Sequence, residues 1–241
     1  MFVRGPMVID VSEIISSGNL SVTGRLVDAS NATLFGHITA KDGSEISVIY
    51  KPVAGERPLW DFPDGTLAAR EVAAYLFSVF GQFNVVPFTT LRDGPFGPGS
   101  VQEWIEIDEN VDIIDLAQSR DERLRSVVIF DSLINNTDRK IGHLLPSQTG
   151  ELFVCDHGVC FHEEDKLRTV LWQWREEPLS SGEYEKLLDI RARFDEFRNM
   201  AADLLTDGEI DATLARVNRM IESSIFPSPS GDWPAVPWPP I

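Results

Sequence analysis

The spacing of the apolar residues changes from mainly strand-like to helical near residue 108 of this chain. The first part alternates apolar and polar side chains in short segments, which is typical of half-buried strands. These segments are 20–27, 34–39, 46–50, 85–91 and 101–107. The second part has apolar residues every three or four positions, which predicts amphipathic helices over 124–134, 183–198 and 209–225. A strand-rich half followed by a helical half predicts an α+β fold with two lobes.

One more helix and an unusual tail complete this outline. Segment 66–80 carries its apolar residues on one side of a helix, with Glu71 inside it. The tail 226–241 holds six prolines and two tryptophans, which excludes regular helix or sheet. We therefore expect an N-lobe over 1–104, a helical C-lobe over 105–225, and an extended tail that packs on the surface or docks elsewhere.

The chain has a formal net charge of −17, from 21 basic and 38 acidic residues. A field of this sign opposes binding to nucleic acid and to anionic membranes. It also opposes a polyanionic nucleotide unless local cations and a metal intervene. No apolar run has the length of a membrane span, and the first ten residues are too weakly apolar for a secretory signal. We expect a cytoplasmic protein with no nucleic-acid partner, and membrane binding is disfavoured.

Two acidic residues in the second half each follow an apolar run. Asp138 comes after the predicted helix 124–134, Asp156 follows Phe-Val-Cys, and His143 lies five positions past Asp138. Phosphoryl transfer uses one carboxylate to orient the acceptor hydroxyl and a second, with a neutral partner, to hold Mg²⁺ against the nucleotide. The pattern therefore predicts phosphoryl transfer with ATP and a divalent metal, Mg²⁺ or Mn²⁺, as cofactors.

Three further features fit a nucleotide site between the two halves. Lys51 ends a predicted strand, where its ammonium could reach phosphates as a point charge. Glu71, twenty residues later, could pair with Lys51 and fix its direction. Segment 102–105, with Glu103 and Trp104, joins the halves where a hinge would offer backbone groups to an adenine ring.

This order and spacing resemble the kinase fold, and more narrowly the phosphatidylinositol 3- and 4-kinase superfamily. The chain is most similar to a family of actinobacterial phosphatidylinositol-kinase-like proteins. The resemblance runs from about residue 18 to about residue 225. The shared segments are Tyr50–Pro52, Leu59–Leu67, Asn135–His143, Asp156–Gly158 and Lys166–Trp172.

The resemblance implies a role for each of four residues. Lys51 would bind the α- and β-phosphates of ATP, with Glu71 as its helix partner. Asp138 would be the catalytic aspartate beside the acceptor hydroxyl. Asp156 would hold the metal, in the position where protein kinases carry Asp-Phe-Gly.

Two departures from the family pattern concern the metal and the phosphates. Lipid kinases usually have Asn five residues after the catalytic aspartate, and here His143 stands there. As a metal ligand, His143 would favour Mn²⁺, because Mg²⁺ prefers oxygen. The Gly-x-Gly-x-x-Gly loop is missing, and the turn 30–33 takes its place. We expect Ser30 and Asn31 to cover the phosphates with small side chains and backbone amides.

Several side chains near the second aspartate are open to two interpretations. Lys166 and Arg168 could attract an anionic acceptor, or they could form ordinary surface salt bridges. His157 could join a pH-sensitive network, or more simply hydrogen-bond a backbone carbonyl. The two cysteines, Cys155 and Cys160, are too few for a disulfide framework, and we expect them to be small packing residues.

The sequence thus predicts an ATP-dependent phosphotransferase. Its partners would be a nucleotide and an unidentified alcohol, either a small molecule such as an inositol-type polyol or a protein Ser/Thr. Two alternatives stay open: a kinase-fold enzyme that transfers AMP, and a nucleotide-binding pseudokinase or scaffold. His143 in place of Asn favours the pseudokinase, while the presence of Lys51 and both aspartates opposes it. The tail 226–241 could recruit a protein partner.

Overall fold

The computed structural model describes residues 10–26 and 31–241. Its α-helices are α1 (Val11–Ser17), α2 (Leu67–Phe80), α3 (Ile113–Gln118), α4 (Glu122–Ile134), α5 (Ser181–Ala192), α6 (Phe194–Ala201) and α7 (Asp207–Ser223). Its strands are β1 (Asn19–Arg25), β2 (Leu34–Thr39), β3 (Glu45–Pro52), β4 (Thr89–Gly94), β5 (Gly97–Glu103), β6 (Leu144–Pro146) and β7 (Leu152–Val154). Within the described ranges, no helix combines the length and the apolar character needed to cross a bilayer.

Strands β1 to β5 form one antiparallel sheet in the order β1-β2-β3-β5-β4, and β6 pairs only with β7. Successive side chains of a strand point to opposite faces of its sheet. On β3, Val48 and Tyr50 are buried in a small apolar core with Ile15 of α1. Lys51 therefore points to the other face, where it meets α2.

Helix α2 links the sheet to the helical half of the molecule. Its first N–H groups are satisfied by the Glu56 carboxylate, which accepts from Leu67 at 3.2 Å and from Ala68 at 2.9 Å. On its buried face, the Phe77 ring lies 6.3 Å from that of Phe130 and 4.9 Å from that of Phe197. This apolar core fixes α2 against α4 and α6.

The predicted α+β class and most predicted elements are confirmed, with two corrections. The strands predicted over 85–91 and 101–107 are shifted in the structure to β4 and β5. These two strands are joined by a two-residue turn, in which Gly97 pairs with Gly94 and adopts a left-handed φ of 93° that glycine tolerates. The single helix 183–198 is two helices, because the backbone of Arg193 leaves the helical region at φ −105° and ψ 13°.

The tail 226–241 forms no helix or strand, as predicted, and it packs along the helical half. Phe226 is fully buried in the main core. Farther on, the carbonyl of Ala235 accepts from the N–H of Thr169 at 3.0 Å, and that of Pro240 accepts from Ile141 at 2.9 Å. The end of the chain therefore returns to the loop that carries Asp138.

Candidate active site

The ammonium of Lys51 lies between two carboxylates. It forms an ion pair with Glu71 of α2, and its Nζ is 2.8 Å from Oδ1 of Asp156. Glu71 also accepts a hydrogen bond from the backbone N–H of His157 at 3.0 Å. Because Asp156 follows β7, these contacts join the sheet, α2 and the helical half at one point.

The three charges shift each other's pKa values. Burial lowers the pKa of Lys51, but Asp156 and Glu71 outweigh that effect and raise it above its ordinary value. Lys51 in turn holds the pKa of Asp156 well below its usual range. Burial raises the pKa of Glu71, and Lys51 offsets part of that rise. Lys51 and Asp156 are therefore charged at neutral pH.

Asp156 combines an unusual backbone with an accessible carboxylate. Its φ is 62°, in the left-handed region that Asp and Asn tolerate better than other non-glycine residues. Its side chain is 48% exposed, although it contacts Lys51. The charged carboxylate of Asp156 is therefore accessible to solvent.

His143 lies on the other side of Asp156. Its Nε2 is 3.4 Å from Oδ2 of Asp156, and its Nδ1 accepts from the N–H of Lys140 at 3.4 Å. Burial lowers the pKa of His143 to about 4, so the ring is neutral at pH 7. With Nδ1 accepting, the ring proton lies on Nε2, which would have to lose it before binding a metal.

The donor set fits a metal only in part. Asp156 supplies the oxygen that Mg²⁺ and Mn²⁺ require, and His143 could add the nitrogen that Mn²⁺ accepts. No group of three or more metal-binding side chains occurs within residues 10–26 and 31–241. A metal at Asp156 would therefore take its remaining ligands from nucleotide phosphates and water.

Asp138 lies in the loop after α4. Its backbone N–H donates to Oδ1 of Asn136 at 3.0 Å, and its Oδ2 is 3.2 Å from Nζ of Lys140. Burial raises the pKa of Asp138, while Lys140 and Arg168 oppose the rise. A half-buried carboxylate with a raised pKa is suited to accept a proton from a hydroxyl.

A buried network, which the sequence analysis missed, ties the Asp138 loop to the Asp156 loop. Arg139 is fully buried and donates to Asp131 through two nitrogens, at 2.8 and 2.9 Å. It also donates to the carbonyl of Cys155 at 2.8 Å. An acidic residue inside the apolar helix 124–134, followed by an arginine beside Asp138, was the available signal.

His157 belongs to the same network and does not bond a backbone carbonyl, which corrects the simpler expectation. Its Nε2 is 2.8 Å from a guanidinium nitrogen of Arg139. Because a guanidinium only donates, this nitrogen accepts. Burial lowers the pKa of His157 well below its ordinary value, so the ring is neutral.

The two cysteines beside this network are free, as expected. Burial raises the pKa of Cys155 to about 12 and that of Cys160 well above its ordinary value. Both therefore stay protonated and act as packing residues.

The backbone N–H groups of Glu103 and Trp104, which were expected to lie at a hinge, are bonded to neighbouring carbonyls. The N–H of Glu103 donates to the carbonyl of Phe88 at 2.9 Å, and that of Trp104 donates to Ser47 at 3.0 Å. Neither N–H is therefore left to bind an adenine ring. The Trp104 ring instead packs edge-on against Phe35, with the ring centroids 5.1 Å apart.

The turn that was expected to cover the phosphates is described in part. Ser30 lies outside the described residues. The side chain of Asn31 accepts from the N–H of Arg57 at 2.9 Å, and the N–H of Ala32 donates to Gly55 at 3.1 Å. Asn31 thus binds the neighbouring loop.

The ammonium of Lys166 is surrounded by two carboxylates and two tryptophan rings. Its Nζ is 3.1 Å from Asp61 and 3.3 Å from Glu164, and its side chain is 3% exposed. The same atom lies 4.9 Å from the ring centroid of Trp60 and 4.7 Å from that of Trp233. This cation therefore joins the first half, the second half and the tail, and it is not available to an acceptor.

No protein-family model matches this chain. The chain is 37% identical to Protein Rv2133c of Mycobacterium tuberculosis (strain ATCC 25618 / H37Rv) over 266 aligned positions, which cover 95% of each protein.

Among solved structures, hydra Fam20 with sugar matches with a TM-score of 0.60 at 13% identity, over 89% of this chain and 87% of that one. The Golgi casein kinase with Mn/ADP bound matches with a TM-score of 0.59 at 12% identity, over 89% and 74%. Likeness at such identities shows the fold, which is kinase-like. The chain thus has a kinase-like fold and belongs to the same family as Protein Rv2133c of Mycobacterium tuberculosis.

Proposed function

We propose that this chain is an atypical kinase, which moves the γ-phosphoryl group of ATP to an alcohol. The observation that carries the proposal is the position of Lys51, paired with Glu71 of α2 and 2.8 Å from Asp156 in the other half. The kinase-like fold and the motif resemblance to phosphatidylinositol kinases support it. ADP and Mn in the Golgi casein kinase structure support the same cofactor class here.

Each residue has a physical task in this mechanism. Glu71 fixes the direction of Lys51, which binds the nucleotide phosphates as a point charge. Asp156, with His143 beside it, would hold Mg²⁺ or Mn²⁺, which neutralises phosphate charge when bound. Asp138 accepts the proton of the attacking hydroxyl, and its raised pKa suits it to that step.

A small polyol is the acceptor that we favour. Hydra Fam20, which was solved with a sugar, supports an acceptor of this kind. The net charge of −17 disfavours a substrate embedded in an anionic membrane. Cytoplasmic residence and a protein Ser/Thr acceptor stay predictions of the sequence.

The test combines nucleotide binding with turnover. At about 100 times Kd, ATP with Mn²⁺ or Mg²⁺ should stabilise the native state by about 2.7 kcal/mol, or roughly 5–10 °C in Tm for a chain of this size. Lys51→Met should remove most of this shift, whereas Lys41→Met, in an exposed turn, should retain it. The absence of any shift with either metal would contradict the proposal.

The mass of the modified acceptor separates the alternatives. Transfer of a phosphoryl group adds roughly 80 Da and transfer of AMP adds roughly 329 Da, with phosphoryl transfer expected. Binding without ADP or AMP-adduct formation would instead identify a pseudokinase.

A further inference from the structure

Arg168 runs alongside the loop that carries Asp138. Its N–H donates to the carbonyl of Asn136 at 3.0 Å, and its own carbonyl accepts from Arg139 at 3.1 Å. These two bonds reach the loop on either side of Asp138, and Thr169 forms a parallel bridge with Arg139. The backbone therefore holds Arg168 next to the residue assigned to the acceptor hydroxyl.

The guanidinium of Arg168 differs from those of the other enclosed arginines in the described part of the chain. The side chain is half-buried, and its Nε is buried without a hydrogen-bond partner. The other buried or half-buried arginines of residues 10–26 and 31–241 all have oxygen partners: Glu209 for Arg70, Glu183 for Arg125, Asp131 for Arg139, Asp189 for Arg193, Asp211 for Arg198, Asp165 for Arg216, and two carbonyls for Arg92. Within those ranges Arg168 forms no ion pair, although acidic residues outnumber basic ones by 17.

An unpaired, half-buried guanidinium is costly, so its natural complement is an oxyanion from outside the chain. Its planar fork fits phosphate and carboxylate groups in particular. The nucleotide phosphates already have Lys51, the cation that acts most strongly on Asp156. Arg168 acts on Asp138 instead, together with Lys140. Lys51 thus lies beside the residue assigned to the metal, and Arg168 lies beside the loop of the residue assigned to the acceptor hydroxyl.

We propose that Arg168 binds an anionic group of the acceptor, so that the acceptor is a soluble alcohol that also carries a phosphate or a carboxylate. This inference rests on the proposed phosphotransfer. The anion on Arg168 would orient the acceptor and leave its hydroxyl facing Asp138. A neutral polyol of the same size would lack that anchor.

The test uses the full chain in its complex with ADP and Mn²⁺, at ionic strength matched with KCl. Glycerol 3-phosphate and glycerate are the anionic probes, and glycerol is the neutral one. In the wild type, both anions should raise Tm with increasing concentration and glycerol should not. Arg168→Gln should weaken the anion effect by about tenfold or more, the scale of one charge-assisted bond. Arg175→Gln, which removes an exposed charge from the same segment, should behave as the wild type.

Turnover gives a readout that a structural role would not move. Glycerol 3-phosphate should accelerate ADP release from ATP in the wild type and in Arg175→Gln, and glycerol should not. Arg168→Gln should lose this acceleration while retaining the nucleotide-induced Tm shift. Arg168→Lys, which keeps the charge and loses the fork, should show an intermediate KM for the anion.

Three results would overturn the inference. The first is no anion-induced shift beyond that of KCl in the wild type, and the second is an undiminished anion shift in Arg168→Gln. The third is loss of the nucleotide-induced Tm shift in Arg168→Gln, which would assign Arg168 to the nucleotide. A missing nucleotide shift in the wild type would instead overturn the proposed function. Vesicles of phosphatidylglycerol form the last arm: competition by them and not by glycerol 3-phosphate would contradict a soluble acceptor.

Discussion

In the proposed mechanism Asp138 must be ionised to accept a proton, and its ionised form destabilises the fold. Burial raises its pKa, and Lys140 and Arg168 reduce the rise without cancelling it. The native state therefore holds the proton of Asp138 more tightly than the unfolded chain does. Because the pKa of Asp138 differs between the two states, its ionised form lowers the free energy of unfolding at neutral pH. This loss of stability disappears as the pH falls and Asp138 becomes protonated.

We therefore expect Asp138→Asn to abolish turnover and to raise Tm at pH 7. Asn has a similar shape and no charge to desolvate, and each kcal/mol gained would correspond to about 2–4 °C in a chain of this size. Thermal denaturation from pH 4 to pH 8 measures the effect. The Tm difference from the wild type should shrink toward low pH, where Asp138 is protonated.

Asp203→Asn is the matched control, because Asp203 is exposed and the same net charge is removed. It should leave turnover and the pH dependence of Tm unchanged. If Asp138→Asn keeps turnover, the catalytic assignment is wrong. If its Tm is lower at every pH, its carboxylate stabilises the fold and the burial argument fails.

At the scale of elements, the tail acts as a brace for the catalytic loop. The carbonyl of Ala235 accepts two hydrogen bonds, from the N–H of Thr169 and from Nε1 of Trp172, both at 3.0 Å. The carbonyl of Pro240 accepts from Ile141, three residues after Asp138. These bonds hold two segments: the one that contains Thr169 and Trp172, and the loop that contains Asp138.

Deletion of residues 232–241 should therefore lower turnover by about tenfold or more while nucleotide binding persists, because 1 Å of misplacement at a catalytic group can cost about a hundredfold. Phe226 stays, so the main core remains covered. The ATP-induced Tm shift and kcat are the two measurements. Trp238→Ala is the control, since this side chain is 85% exposed and should matter only to a protein partner of the tail. Equal kcat in the deletion variant would contradict the brace.

The contacts of the tail also show which features of the structure can be predicted from sequence patterns and which cannot. Apolar spacing reports which face of an element is buried, and it gave β2 and α2 nearly to the residue. Proline content correctly excluded helix and strand from 226–241, but no local pattern encodes which carbonyl meets Thr169. The same holds for Arg139 and Asp131: each is a polar residue whose partner is fixed only by packing. The proximity of Lys51, Glu71 and Asp156 was predicted, because the order of their motifs carries information beyond local spacing.

For the molecule as a whole, charge is distributed unevenly between the site and the surface. In and around the candidate site, four cations (Lys51, Arg139, Lys140 and Arg168) lie among four carboxylates (Glu71, Asp131, Asp138 and Asp156). These eight charges cancel, while the chain carries −17. A nucleotide that approaches the proposed site would meet net repulsion at long range and attraction only near Lys51.

This distribution predicts an unusual salt dependence. Raising KCl from about 50 to about 200 mM shortens the Debye length from roughly 14 to 7 Å, which screens the distant surface charges more than the close contacts of the candidate site. The association rate of a fluorescent ATP analogue with Mn²⁺, measured by stopped flow, should therefore rise severalfold. Neutral adenosine is the control, and its rate should not change. If the association rate of the analogue falls with KCl instead, the cations near the site must outweigh the negative surface charge. The reason is that screening slows association only when the electrostatic interaction is attractive.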